Sequence, residues 1–308
     1  MPAWYNVCQK ETKKTMLLRA DQWNDYTCLD AGSGEKLEQW NGIVLRRPDP
    51  QAIWPIDTSY KAWKQADAVY HRSSRGGGEW EYRKKLPESW TVSYRELTFK
   101  VSPTGFKHTG LFPEQAVNWD WMSSLIKAHK EEELRILNLF AYTGGATMAV
   151  SAAGAAEVVH VDASKGMVAW AKENRDLSHL EGNTIRFIVD DCMKFAEREK
   201  RRGRTYHGIL MDPPSYGRGP NGELWKFEKE LPKLIQACLD IFDENGLFFL
   251  INSYTTGFSS IVLEDLMKTM FTDYDSRGHV SAGEVALPIQ NRDLLLPCGI
   301  YGRWERNA

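Results

Sequence analysis

The sequence predicts an α/β protein: a doubly wound, mostly parallel sheet with a smaller N-terminal β-rich domain. Two observations carry this. From about residue 132 the chain repeats strand, loop and helix five times in succession, the grammar of a parallel sheet covered on both faces. The first hundred residues instead read as short apolar runs separated by turn residues, the grammar of antiparallel hairpins.

Within residues 1–100, "YTCLDAGSGEKLEQWNGIVLRRPDP" carries a glycine-rich turn at 31–34 and a second at Asn41-Gly42, and Pro48 and Pro50 then break the pattern. "RSSRGGGEWEYRKK" reads as a hairpin with an exposed glycine tip, and "SWTVSYRELTFKV" alternates like one half-buried strand. Residues 101–131 form a lead-in segment. Residues 132–308 then supply the units: "RILNLF" before "ATMAVSAAG", "EVVHVD" before "ASKGMVAWAKENRDL", "TIRFIVDD" before "CMKFAEREKRRG", "YHGILMD" before "KFEKELPKLIQACLDIF", and "GLFFLINSY" before "SSIVLEDLMKTM". Helices of this length suit right-handed crossovers. The last forty residues are expected to add shorter antiparallel edge strands.

Composition sets limits. At 308 residues, with 42% hydrophobic and 26% charged residues, the chain can bury a sizeable core. It has no run of eighteen apolar residues and no basic-then-apolar leader, so neither a membrane span nor a secretory signal is expected. Cys8, Cys28, Cys192, Cys238 and Cys298 are scattered without a CxxC pair, which suits a reducing cytoplasm and argues against a zinc knuckle or disulfide framework. The formal charge of -2 gives no global attraction for nucleic acid, leaving that to local patches. Residues 1–100 lean basic, with 16 Lys/Arg against 13 Asp/Glu, and hold more than half of the twelve tryptophans. Oligomeric state is open between monomer and dimer.

In an open α/β sheet, ligands bind beyond the carboxyl ends of the strands where the topology reverses. Gly144-Gly145 follows the first strand of the repeat and permits a tight turn and close approach of a ligand to a helix N-terminus; many such turns merely connect elements. Asp162 ends the second strand and suits the hydroxyls of a ribose, against a capping role for the helix near Ser164. Asp190-Asp191 ends the third and suits an adenine edge, again against capping. Together the three describe an adenosine-containing cofactor. A nicotinamide dinucleotide and S-adenosylmethionine both qualify, and the absent third glycine of GxGxxG favours the second.

The fourth strand runs into "GILMDPPSYGRG", residues 208–219. Asp212 and the carbonyls of Pro213 and Pro214, which lack local donors, can accept hydrogen bonds from an amine, and Tyr216 can stack on a base. Outside this setting the segment is only a turn.

"ILNLFAYTGGATMAVSAAGAAEVVHVDASKGMVAWAKEN", "FIVDDCMKF" and "GILMDPPSYGRG" resemble the class I S-adenosylmethionine-dependent methyltransferases. The branch they are most similar to is the 23S ribosomal RNA large-subunit methyltransferases of the cytosine-C5 type, which "SPTGFKHTGLFPEQAVNWDWM" also resembles. The resemblance spans about residues 98–308 and implies a Rossmann-like seven-stranded sheet, S-adenosyl-L-methionine as cofactor, and a nucleic-acid base as acceptor, RNA ahead of DNA or protein. It implies a methionine-carboxylate loop from Asn138 to Gly145, with Phe140, Tyr142, Thr143 and Gly144, and ribose contacts at Asp162 and Ala163. It further implies an adenine-side turn at Asp191 and Cys192, a closing segment of Thr109, Gly110, Phe112 and Gln115, and an acceptor motif of Asp212, Pro213 and Pro214. The branch often carries an N-terminal PUA RNA-binding module, and no clear one is legible here.

Nitrogen acceptors need mainly positioning and deprotonation, whereas C5 of a pyrimidine needs a cysteine adding at C6. Cys192, Cys238 and Cys298 are the candidates, each weighed against simple burial, and nitrogen transfer is the favoured expectation. Arg218 and Lys226 can meet a phosphate from the loop after the fourth strand. "EREKRRGR" (197–204), and Arg83, Lys84 and Lys85 beside Trp80 and Tyr82, are candidate RNA patches set against solvated faces. His108 and His160 are read as hydrogen-bonded residues rather than ligands, and no metal is required. The rival functions are a protein or small-molecule methyltransferase, a non-catalytic RNA-associated scaffold, and a nicotinamide-dependent dehydrogenase.

Overall fold

The computed structural model describes residues 16–73, 77–105, 107–129, 133–218 and 224–307, without the side chains of Arg218 and Leu224. Cys8, and the side-chain reading of Arg218, lie outside this set.

The chain begins with β1 (Met16–Arg19), β2 (Tyr26–Gly32), β3 (Glu35–Trp40), β4 (Ile43–Pro48), β5 (Ala68–Arg72), β6 (Gly78–Tyr82), β7 (Trp90–Tyr94) and β8 (Leu97–Val101). After α1 (Ala116–Ala128) come the alternating units β9 (Arg135–Leu139), α2 (Gly145–Ala152), β10 (Glu157–Asp162), α3 (Lys165–Leu177), β11 (Ile185–Val189), α4 (Cys192–Arg201) and β12 (Gly208–Met211). A small ribbon of β13 (Tyr216–Arg218) and β14 (Leu224–Lys226) precedes α5 (Phe227–Leu239), β15 (Phe248–Ser253) and α6 (Ser260–Met270), and the long β16 (Gly278–Ile289) and β17 (Leu294–Arg306) follow.

All five expected strand–helix units form. Strands β11, β10, β9, β12 and β15 pair in parallel in that order, and β17 then joins β15 antiparallel and pairs with β16. These seven are the doubly wound sheet. Alternation along the strands sorts the core onto two faces. Ile136, Val158, Leu210, Phe248 and Leu250 pack with Trp119, Met122 and Met148 of α1 and α2. Leu137, Leu139, Val161, Ile209, Met211 and Ile251 pack with Phe195, Leu234, Ile235, Leu263 and Met267 of α4, α5 and α6.

Two expectations need correction. The C-terminal segments are not short edge strands: β16 and β17 are 12 and 13 residues long and lie mid-sheet, because β16 bridges in parallel to β2 at Ile289 and Cys28. The sheet continues through β3, β4, β5 and β6. "SWTVSYRELTFKV" is not one strand but the hairpin β7–β8, reversed at Arg95, whose φ of 51° is the left-handed conformation a tight turn requires.

The N-terminal basic clusters are mostly neutralised. Arg83 pairs with Glu81 at 2.9 Å and Lys84 with Asp67 at 2.5 Å. Trp80 is partly buried and donates its indole N–H to the Thr104 carbonyl at 2.9 Å, while Tyr82 is exposed. The 197–204 segment is the end and exit of α4, its charges paired as Arg198–Asp190, Lys200–Asp240, Arg202–Glu199 and Arg204–Glu157.

Candidate active site

The sheet's topology reverses between β9 and β12: the helix after β9 covers one face and the helix after β12 covers the other. A cleft opens beyond the carboxyl ends of these strands, as expected at such a switch point. It encloses about 510 Å³ including its open mouth, within the roughly 300–1,000 Å³ of small-molecule sites. Of the residues singled out in the sequence, Phe112, Gln115, Asn138, Phe140, Tyr142, Thr143, Gly145 and Asp212 line it.

The wall after β9 is a constrained loop. Phe140 and Tyr142 both hold φ near 50° and Gly144 holds 85°, a density of left-handed residues typical of ligand loops. Cross-strand bonds fix it. The Ala141 amide donates to the Val161 carbonyl at 3.0 Å, the Tyr142 amide to the Asp162 carboxylate at 2.8 Å, and the Thr143 hydroxyl to the Gly110 carbonyl at 2.5 Å. Gly144 then leads into α2 without a side-chain cap, so the first-turn amides at the Gly145 and Ala146 edge of the cleft can receive an anion. Asn138, buried beneath, donates to the Thr147 hydroxyl at 2.9 Å, which bonds His160 at 2.9 Å. His160 is a core residue, its imidazole pushed down to about 3 by burial.

At the end of β10, Asp162 accepts from Tyr142 through one oxygen and from the Ser164 amide at 2.8 Å through the other. Ser164 itself caps α3, so Asp162 orients the loop rather than capping the helix. Burial raises its carboxyl. Asp191 does cap: its side chain accepts from the Lys194 amide at 2.9 Å, opening α4. Cys192 is buried and accepts from the Phe140 amide at 3.3 Å. Ala163 is exposed beside Asp162, and Thr109 and Gly110 are buried behind the loop. None of Ala163, Asp191, Cys192, Thr109 or Gly110 lines the cleft.

Asp212 closes the floor at the end of β12. Burial first, and the neighbouring Glu114 second, push its carboxyl up to about 7. Pro213 is buried and Pro214 exposed. The expectation that both proline carbonyls lack donors is corrected, because the Trp225 indole donates to the Pro214 carbonyl at 2.6 Å. Trp225 also lies against Phe140, ring centroids 5.5 Å apart. Tyr216 sits outside the cleft in the exposed β13–β14 ribbon, 58% accessible, and Lys226 is the residue before α5.

Sequence reasoning missed a polar network on the opposite wall. Asn118 of α1 donates to Gln115 at 2.8 Å and to Asn252 of β15 at 2.9 Å. Gln115 donates to the Tyr254 hydroxyl at 2.6 Å, and that hydroxyl donates to buried Glu114 at 2.9 Å. Arg303 of β17 anchors Asn118 from behind at 3.2 Å. The available signal was positional: Asn252 lies near the end of β15 and Tyr254 directly follows it, as Asp212 follows β12. Phe112 bridges the walls, 5.5 Å from both Tyr142 and Tyr254.

Among the described residues no three His, Cys, Asp or Glu gather as a metal site, and no helix is long and apolar enough to cross a membrane. Cys238 is buried in the core, and Cys298 is half-buried, its thiol held well above the usual range by burial.

Comparison with known proteins gives a consistent picture. A family described as S-adenosylmethionine-dependent methyltransferase matches residues 57–264. The crystal structure of a SAM-dependent methyltransferase from Agrobacterium tumefaciens is similar over 95% of this chain and 94% of that one, at 36% identity and a TM-score of 0.89. A methyltransferase structure from Streptococcus mutans shares the fold over 92% of this chain and 76% of its own, at 18% identity and a TM-score of 0.70. Among curated proteins, a ribosomal RNA large subunit methyltransferase K/L of Colwellia psychrerythraea is 28% identical over 180 residues, 58% of this chain. Its Shewanella baltica counterpart is 34% identical over 156 residues, 50% of this chain. The aligned regions span 24% and 21% of the length of these two curated relatives.

Proposed function

This chain belongs to the S-adenosylmethionine-dependent methyltransferase family, and from that premise we propose that it methylates a nitrogen of a nucleic-acid base, in RNA. The observation that carries the acceptor assignment is Asp212: a carboxyl titrating near neutrality on the floor of the cleft, opening the Asp-Pro-Pro-Ser turn at the switch point. The partial similarity to ribosomal RNA methyltransferases supports RNA as the carrier of that base.

The residues present fit the cofactor. The uncapped N-terminus of α2 offers amides to a carboxylate. Asp162, held in place by two backbone amides, keeps further lone pairs for a ribose diol. Phe112, Phe140 and Tyr142 supply aromatic walls for an adenine and a sulfonium. Asp191 and Cys192 shape the turn behind Phe140, and Thr109 and Gly110 back the methionine-side loop. When bound, S-adenosylmethionine supplies an electrophilic methyl group.

The chain's own groups then orient the acceptor. Asp212 in its ionised form would accept a hydrogen bond from the acceptor N–H, turn the nitrogen lone pair toward the methyl carbon, and take the proton released as the new C–N bond replaces the methyl–sulfur bond, a neutral thioether being the leaving group. The Pro213 carbonyl offers a second acceptor, since that of Pro214 already serves Trp225. Tyr216, on its exposed ribbon, is placed to meet RNA flanking the base. No cysteine addition is needed in this reading, and the raised thiols of Cys192, Cys238 and Cys298 suit that.

The test is transfer of labelled methyl groups to separate RNA, DNA, protein and metabolite fractions, by wild type and by Asp212→Asn. Label in RNA, recovered as an N-methylated nucleoside and lost in the variant, is the expected result. Label confined to protein or metabolites would overturn the RNA assignment, and a C5-methylated pyrimidine would overturn nitrogen transfer.

A further inference from the structure

Beside the cleft, on the side of β3 and β4, lies a cluster of cations that the methyl-transfer reading leaves unused. Arg47 of β4 is buried, donates to Glu38 of β3 at 2.6 and 2.9 Å, and donates to the Lys107 carbonyl at 2.8 Å. Lys36 stands 3.5 Å from Glu38 and 3.4 Å from Asp49. Glu38 and Asp49 thus have their charges matched by Arg47 and Lys36. Lys107, partly buried on the lead-in segment, and Arg72 at the end of β5 have no ion pair among the described residues.

The cluster is joined to the cleft by aromatic rings. His108, the neighbour of Lys107, lies 5.4 Å from Phe112, and Phe112 reaches both Tyr142 and Tyr254 at 5.5 Å. Burial and then Lys36 lower the Lys107 ammonium, Arg47 and Arg72 adding to the effect and Asp49 opposing it. Burial first, then Arg47, Lys107 and Lys36, push His108 down to about 4, so it is a neutral ring at working pH. An excess of positive charge held at the end of an aromatic path calls for an anion whose attached group stacks.

We propose that Lys107, supported by Arg72, binds a backbone phosphate of the polynucleotide whose base enters the cleft. The proposal rests on the base-methylation reading and extends it. Lys107 supplies the charge, buried Arg47 holds its backbone in place through the carbonyl bond, and His108 with Phe112 lines the route from that phosphate to the reacting base. This is a substrate-binding role, and it makes a polynucleotide a better substrate than a free nucleoside.

The test is steady-state methylation of an in vitro transcribed large-subunit ribosomal RNA by wild type, Lys107→Gln, Lys107→Arg and Lys172→Gln, over a range of salt. Lys172 is exposed on α3, outside every segment considered for RNA contact, and controls for general surface charge. In Lys107→Gln the KM for RNA should rise about five- to tenfold, as expected for losing one charged contact, with kcat and S-adenosylhomocysteine affinity unchanged. The slope of log kcat/KM against log salt should flatten by about 0.7, the share of one single-strand phosphate contact, and Lys107→Arg should restore both. Unchanged KM and slope in Lys107→Gln, or equal effects from Lys172→Gln, overturn the proposal. A wild type that labels protein but no RNA overturns the base reading beneath it, a result read on the wild type alone.

Discussion

Replacing Asp212 by asparagine should stabilise the protein while abolishing its activity. In the fold this carboxyl titrates at about 7 against an ordinary value of 3.8, a gap of about 3 pH units at 1.36 kcal/mol each, or about 4 kcal/mol. Water in the cleft relaxes part of that, leaving roughly 2–4 kcal/mol. An acid whose folded value lies above its unfolded value binds protons more tightly when folded, so its contribution to stability falls as pH rises from about 4 to about 7 and is level beyond. Asparagine fills the same space without the charge. The burial of Glu114 itself is common to both proteins and cancels, whereas its repulsion of Asp212 is part of the raised value and is relieved in the variant. Urea denaturation of both proteins from pH 4 to 8.5 should give matching stabilities at the acid end. Toward pH 8 the variant should pull ahead by that amount, or by about 5 °C in Tm at roughly 2 °C per kcal/mol for a chain this size. In the wild type, kcat should rise with pH through about 7 as Asp212 ionises. Parallel stability curves, or a variant less stable at pH 8, would refute the argument that this charge is held at a cost the active site needs.

Three further outcomes follow from the geometry. Glu38 is fully buried, and Arg47 and Lys36 outweigh burial to hold it down at about 2. Its contribution is therefore present above pH 4.5 and lost as pH falls toward 2. Glu38→Gln strands Arg47 and should cost about 3–5 kcal/mol at pH 7, flattening the acid limb of the stability curve measured by denaturant titration. Gly110→Ala forces a φ of 98° on a residue with a Cβ and drives that atom into the Trp170 ring. Destabilisation of roughly 2–4 kcal/mol, with weaker S-adenosylhomocysteine binding by calorimetry because Thr143 hangs from the Gly110 carbonyl, is expected. Cys298→Ser should keep kcat within about twofold in the methyl-transfer assay, since a thiol raised by burial is a poor nucleophile; a hundredfold loss would revive carbon methylation.

The sequence by itself determined the five strand–helix units, because unbroken apolar runs ended by Asp162, Asp190 and Asp212 can only be buried strands opening onto polar loops. The loop residues that follow those strands were legible as a group, and Asn138, Tyr142, Gly145 and Asp212 among them line one cleft. Three things were decided only in three dimensions. Side chains distant in the chain meet across the cleft: Asn118 touches Asn252 and Glu114 touches Tyr254, pairs more than a hundred residues apart that no local spacing encodes. Burial set the protonation of Asp212, His108 and Cys298, since desolvation depends on what packs around a group and not on its neighbours in sequence. Finally, the hairpin β16–β17 carries the sheet from β15 across to β2, and so brings Lys36, Arg47 and Lys107 beside the cleft. Strand order is a property of pairing partners, and periodicity states which face of a strand is buried but not which strand lies beside it.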